Sequence, residues 1–80
     1  MAVKKRLLLV DDDDDLRAEL AEQFALYDEF ETTDVATATE GITAAKNAAF
    51  DLILLDVDLP DMLGTEACEL MRKAGVAAPI

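Results

Sequence analysis

Short apolar runs alternate with longer amphipathic segments along this chain. Residues 6–10 and residues 52–56 each carry a continuous apolar run of strand length, which is typical of a strand buried on both faces. A weaker segment at 32–36, rich in β-branched residues, lies between them. The pattern therefore predicts three strands, at 6–10, 32–36 and 52–56.

Between and after these strands, apolar residues recur at helical spacing. The pattern predicts helices at about 15–26, 39–49 and 64–73, and Gly75 follows the third as a stop signal. The order β-α-β-α-β-α implies an α/β fold, a parallel sheet with helices on its faces. The residues expected to face inward are Leu16, Leu20 and Phe24, then Ile42, Ala45 and Ala49, then Ala67, Leu70 and Met71, with Cys68 as a small buried side chain.

The last residues of the chain predict an incomplete sheet. Residues 78–80 have the character of the start of a fourth strand that is cut short. The third strand is apolar on both faces, as central strands are, yet no full strand follows it. An exposed apolar sheet edge favours pairing with another chain. If the chain is truly cut short here, we therefore expect a homo-oligomer formed through the third-strand edge.

Composition narrows the possible partners. Eighteen acidic against seven basic residues leave a net charge of −11, which excludes direct nucleic acid binding by this segment because phosphate contacts need clustered Lys and Arg. The single cysteine excludes an internal disulfide and fits a cytoplasmic location. No stretch has the ~20 apolar residues of a membrane span. The absence of histidine removes histidine-based metal sites and general bases.

Carboxylates follow two of the predicted strands directly. Asp11 and Asp12 come after the first strand, and Asp56 ends the third. Parallel strands end at the same edge of a sheet, where ligands bind in this class of fold. Three carboxylates gathered there would repel each other unless a cation such as Mg²⁺, which prefers oxygen ligands, lay among them. A carboxylate beside Mg²⁺ can attack a phosphoryl group, and Asp56 is the best candidate nucleophile.

The chain resembles the receiver domain of two-component response regulators. The residues that carry the resemblance are the Leu-Leu-Leu-Val run before Asp11 and Asp12, and the segment 50–64, in which Pro60 and Gly64 follow Asp56 by four and eight residues. The resemblance implies a three-layer flavodoxin-like (CheY-like) parallel sheet. Residues 1–80 would be the N-terminal part of a single receiver domain, C-terminally incomplete.

The resemblance also implies a function and a set of site residues. Asp56 would be the phospho-acceptor, which takes a phosphoryl group from a sensor histidine kinase or phosphotransfer protein. Asp12 would bind Mg²⁺ directly, Asp11 largely through water, and the backbone carbonyl of Asp58 would complete the protein ligands. The chain would be a signalling domain rather than a turnover enzyme, and it would control an output domain, expected to be transcriptional. The Thr or Ser and the Lys that contact the phosphoryl group in the family have no counterpart among residues 1–80.

Two alternatives remain beside this interpretation, and a third is rejected. Asp56-Val57-Asp58 also resembles the Asp-x-Asp motif of haloacid-dehalogenase-type phosphatases, although this alternative leaves Asp11 and Asp12 unexplained. A calcium loop starting at Asp11 is rejected because Leu16 stands where such a loop needs glycine. The chain could also be a self-associating receiver fragment that is not phosphorylated.

Overall fold

The computed structural model describes residues 4–80, which form three strands and three helices in strict alternation. This order confirms the prediction, and most element ends agree within about two residues, the usual uncertainty of such boundaries. The elements are β1 Lys5–Val10, α1 Asp14–Ala25, β2 Phe30–Val35, α2 Ala38–Asn47, β3 Leu52–Leu55 and α3 Gly64–Lys73.

The three strands form one parallel sheet in the order β2-β1-β3. The most buried strand, β1, is central, and its last residue, Val10, pairs with Val35 on one side and with Leu55 on the other. As expected, β3 lies at the sheet edge in the part of the chain that the structure describes. The predicted fourth strand is not formed there, but the Ile53 amide donates a 2.9 Å hydrogen bond to the Pro79 carbonyl. The end of the chain thus meets the edge at one point.

The helices cover both faces of the sheet, which makes three layers. The connection through α1 runs from β1 to β2, and the connection through α2 returns past β1 to β3. Because parallel crossovers are right-handed, these two opposite directions place α1 and α2 on opposite faces. The core lies between the sheet and the pair α2 and α3, and its buried residues are Leu8, Val10, Ala38, Ala45, Ile53, Leu59, Ala67 and Met71.

The α1 side of the sheet is covered less well. No residue of α1 is fully buried, and Leu16, which was predicted to face inward, is 39% exposed.

Some residues in and after the other two helices are also less buried than predicted. Leu70 on α3 was predicted to face inward and is 44% exposed, while Ala49 is exposed and Cys68 is only half-buried. These predictions were wrong because helical spacing shows which residues share a face but not whether a neighbouring element covers that face.

The end of α3 and the length of the helices agree with the sequence. Gly75 follows α3 with a φ of 90°, the left-handed conformation that ends helices and that favours glycine. Among residues 4–80, no helix is both long and apolar enough to cross a bilayer.

Candidate functional site

The ends of β1 and β3 bring the predicted carboxylates together. The Asp56 amide donates a 2.9 Å hydrogen bond to the Val10 carbonyl, so Asp56 lies beside the first residues after β1. Asp11, Asp12 and Asp56 each offer one carboxylate oxygen, and these oxygens all lie within 4.8 Å of one another. Asp11 and Asp56 are half-buried and Asp12 is exposed, which leaves the cluster open to solvent on one side.

This donor set fits Mg²⁺. The ion takes oxygen ligands at 2.0–2.1 Å, so two ligands of one octahedral ion lie at most about 4.2 Å apart. The separation of up to 4.8 Å between the three oxygens exceeds that limit by less than about 1 Å, which a side-chain rotation can supply. Mg²⁺ usually keeps several of its waters, and the exposed side of the cluster has room for them.

Local hydrogen bonds hold Asp11 in place. Its amide donates to the Val35 carbonyl at 3.2 Å, which ties the end of β1 to the end of β2. Its Oδ1 accepts a 2.9 Å hydrogen bond from the Asp13 amide, and Asp13 in turn caps α1 by accepting a 3.0 Å bond from the Leu16 amide. The acidic run is thus divided between two roles, because Asp13 starts the helix while Asp11 turns toward the cluster.

The segment after Asp56 folds back on itself before α3. Asp58 and Leu63 form an isolated antiparallel bridge, and the Gly64 amide donates a 2.7 Å hydrogen bond to the Val57 carbonyl. The Asp58 amide lies 3.4 Å from Asp56 Oδ1 and donates a long hydrogen bond to it. Asp58 is therefore next to the Asp56 carboxylate. That the Asp58 carbonyl is a metal ligand stays a prediction.

Gly64 packs directly on the backbone of Asp56. A Cβ at position 64 would overlap the Asp56 carbonyl oxygen and would lie 3.0 Å from the Val57 Cα. These are backbone atoms, which cannot turn aside as a flexible side chain could. The spacing of eight residues between Asp56 and Gly64 therefore has a steric cause here.

The sequence did not reveal the role of Arg17. Its side chain is only 16% exposed, and its Nη1 donates a 2.7 Å hydrogen bond to the Asp11 carbonyl. Its Nη2 lies 2.7 Å from Asp14 Oδ1, and its Nε lies 3.7 Å from Asp34 Oδ2. The hydrogen bond with Asp14 raises the pKa of Arg17, against the opposite effect of burial. In the sequence, only the spacing of three residues between Asp14 and Arg17 indicates an ion pair on one face of the helix.

Asp61 was also missed. Its carboxylate accepts 2.9 Å hydrogen bonds from the amides of Ala38 and Thr39, and a 2.6 Å bond from the Thr39 hydroxyl. The bonds from Thr39, followed by the one from Ala38, lower the pKa of Asp61 to about 2. The loop that follows Asp56 is thereby attached to the first turn of α2. No local pattern indicates this contact, because its partners lie far apart in sequence.

Comparison with known proteins gives one consistent family. The model of the response regulator receiver domain family matches residues 7–80. The DNA-binding response regulator MtrA of Mycolicibacterium paratuberculosis is 36% identical over 73 residues, which cover 88% of this chain and 31% of that protein. The chain therefore spans about a third of the length of this curated relative.

Solved structures agree with the curated relatives. A CheY-like receiver domain protein from Methanospirillum hungatei is 40% identical, with a TM-score of 0.75, over 88% of this chain and 55% of that one. The receiver domain of the sensor histidine kinase PA1611 from Pseudomonas aeruginosa, solved with a magnesium ion coordinated in its active site cleft, has a TM-score of 0.82 at 24% identity, over 89% of this chain and 57% of its own. The flavodoxin-like fold is confirmed by these likenesses. From the family match, the chain belongs to the response regulator receiver domain family.

Proposed function

We propose that this chain is a phospho-acceptor that receives a phosphoryl group on Asp56 from a phosphohistidine of a sensor histidine kinase or phosphotransfer protein. The observation that carries the proposal is the position of Asp56, which directly follows β3. One oxygen of its carboxylate lies within 4.8 Å of oxygens of two further carboxylates, Asp11 and Asp12. The three lie at the edge of the parallel sheet where ligands bind in this class of fold. Family membership leaves the haloacid-dehalogenase alternative without support, and it accounts for Asp11 and Asp12, which that alternative does not.

The metal ligands we propose are the carboxylates of Asp11, Asp12 and Asp56 and the backbone carbonyl of Asp58. When bound, Mg²⁺ would neutralise negative charge on the transferring phosphoryl oxygens. Three nearby carboxylates would otherwise repel an anionic phosphoryl donor, so the site needs the cation before it can accept a phosphoryl group. A metal ion in the cleft of a protein with the same fold is consistent with this assignment.

The chemical step uses one carboxylate oxygen of Asp56. That oxygen attacks the phosphorus in line, an O–P bond forms, and the P–N bond to the donor histidine breaks. The product is an acyl phosphate on Asp56 and an unphosphorylated histidine. Asp11 and Asp12 hold the cation, and the packing of Gly64 on the Asp56 backbone keeps the acceptor at the strand end. The domain serves as a signalling switch and does not turn over a substrate.

The downstream role follows from the relatives. The matched MtrA protein is a DNA-binding response regulator about three times as long as this match. We propose that phosphorylation of this domain controls an output domain that regulates transcription, whereas the strongly acidic segment itself does not touch nucleic acid. A cytoplasmic location suits this role.

The test is phosphorylation with acetyl phosphate and Mg²⁺, followed by intact mass measurement and peptide mapping. We expect the mass of one added phosphoryl group, located on Asp56, and no addition when Mg²⁺ is chelated. Asp56→Asn is the matched control, since it keeps the size of the side chain and removes the nucleophilic carboxylate. A folded, Mg²⁺-binding protein that stays unmodified, or that is modified equally in Asp56→Asn, would overturn the proposal.

A further inference from the structure

Arg17 links the metal-binding loop to two other elements, and this role rests on the proposed Mg²⁺ site. Its guanidinium reaches back from α1 to the carbonyl of Asp11, to the carboxylate of Asp14 and toward Asp34 at the end of β2. We propose that Arg17 is a positioning residue, which holds the backbone of the β1–α1 loop so that Asp11 and Asp12 present their carboxylates to the metal.

The contacts of Arg17 are those of a fixed group. Two 2.7 Å hydrogen bonds leave adjacent nitrogens of one planar guanidinium, so together they set both its position and its orientation. The side chain is 16% exposed and lines the groove that also contains Asp11 and Asp56. The Asp14 side chain is 83% exposed, so the part-buried contact of Arg17 is its hydrogen bond to the Asp11 carbonyl. Asp11 directly follows β1 and begins the acidic loop, so the bond from Arg17 to its carbonyl fixes the point where the loop leaves the strand.

Positioning and charge predict opposite effects on metal binding. A positive guanidinium near the cluster should repel Mg²⁺, so its removal would tighten binding if charge dominated. Its charge is already balanced by Asp14 at 2.7 Å and faces Asp34 at 3.7 Å, so little of it is left to act on the ion. The hydrogen bond from Arg17 to the Asp11 carbonyl is lost when the guanidinium is removed. We therefore expect positioning to prevail.

Two variants separate these effects. Arg17→Lys keeps the charge, but its single ammonium cannot bridge the Asp11 carbonyl and Asp14 in the geometry of a planar fork. Arg17→Met removes the charge and keeps much of the apolar stem. Mg²⁺ affinity is measured by isothermal titration calorimetry, well below the unfolding temperature of each variant. We expect both to bind Mg²⁺ about tenfold more weakly, the lower end of the usual loss when a group that orients a metal ligand is removed.

Arg72 provides the matched control. It also lies on a helix and donates 2.8 Å hydrogen bonds to backbone carbonyls, those of Val76 and Ala78, at the end of α3. Arg72→Lys and Arg72→Met should lower thermal stability in a similar way without changing Mg²⁺ affinity. Backbone amide NMR adds a structural readout, because in Arg17→Lys the shifts of Asp11, Asp12 and Asp13 should change before any metal is added.

The outcomes distinguish this inference from the proposed function. Unchanged affinity in both Arg17 variants would overturn the positioning role while leaving the site intact. Tighter binding in Arg17→Met with unchanged binding in Arg17→Lys would show that charge dominates, which also overturns it. Failure of the unaltered protein to bind Mg²⁺ would instead contradict the proposed site.

Discussion

Asp61 lies in the loop after β3, yet its carboxylate accepts three hydrogen bonds at the first turn of α2. The first amides of a helix have no partner within the helix, and a negative charge is favoured at that end. Thr37 already caps the same helix by accepting a hydrogen bond from the Glu40 amide. Asp61 therefore satisfies the donors that the helix's own cap leaves over, and it joins two loops at the edge that carries the site.

This contact predicts a pH dependence of stability. The pKa of Asp61 is lowered from 3.8 to about 2 in the folded protein, so the stabilisation is fully present above pH 3.8 and is lost as the pH falls through about 2. Asp61→Asn should therefore be less stable than the unaltered protein near pH 6, and the difference should shrink between about pH 4 and pH 2. Urea unfolding at a series of pH values measures the difference.

The control for this titration is Asp28→Asn, in the turn between α1 and β2 and away from the contact. It removes the same charge, so it corrects for the general effect of a less acidic protein. A stability difference for Asp61→Asn that is the same at pH 6 and at pH 3 would contradict the assignment of the low pKa to this contact.

Single residues differ in how far the sequence alone reveals them. Asp11, Asp12 and Asp56 could be predicted because each follows an apolar strand, and parallel strands end at one edge. Arg17 and Asp61 could not, because both act through partners in other elements. An arginine or aspartate of this kind has the same local pattern whether its side chain is solvated or bonded across the fold.

At the level of elements, α3 begins where β3 and its loop leave no space for a side chain. Gly64 is the first residue of α3 and lies against the Asp56 carbonyl. The helix has no side-chain cap at this end, and the Gly64 amide instead bonds the Val57 carbonyl at 2.7 Å. The start of α3 and the acceptor are thus one packed unit.

This packing predicts that Gly64→Ala damages both stability and the site. The added methyl group must push α3 away from the Asp56 backbone, and strain of this kind usually costs about 1–3 kcal/mol. Because Asp56 must move with its backbone, Mg²⁺ affinity should fall as well. Chemical unfolding and calorimetric titration of Mg²⁺ measure the two effects.

Gly75→Ala is the control at the other end of α3. Its φ of 90° is unfavourable for alanine, and nothing lies within 4 Å of the added Cβ, so it should lose about 1 kcal/mol from backbone strain alone. It should leave Mg²⁺ affinity unchanged. If Gly64→Ala bound Mg²⁺ as tightly as Gly75→Ala does, the link between the α3 start and the acceptor would be wrong.

Within residues 4–80, the flank of the molecule between α1 and β3 is poorly covered. A groove of about 220 Å³ between α1 and β3 is lined in part by Leu9, Leu20 and Leu54, and Leu54 is 38% exposed. Within residues 4–80, the outer edge of β3 meets only the Ile53–Pro79 hydrogen bond. An apolar groove beside an open strand favours association. For a chain of these eighty residues alone, we propose pairing with a second copy across the β3 edge.

Sedimentation measurements test this proposal. We expect the average mass of the chain to rise with concentration at about 0.15 M salt, where charge repulsion beyond about 8 Å is screened. Leu54→Lys places a charge in the groove and should shift the protein toward the monomer. Leu26 directly follows α1 and its side chain is 79% exposed away from the groove, so Leu26→Lys should leave the average mass unchanged. A folded monomer at all concentrations would contradict the proposal.

The sequence by itself determined the order of elements, the parallel sheet and the three carboxylates at its edge. It could do so because the spacing of apolar residues and the ends of strands are local properties of the sequence. In a parallel sheet the strands end at the same edge, so residues that follow different strands lie close together. Only the tertiary structure decided which apolar faces are covered, so Leu16 and Leu70 are exposed despite their helical spacing. It also brought Arg17 to the Asp11 carbonyl and Asp61 to the first amides of α2. Those contacts depend on the distances between elements, which no local pattern contains.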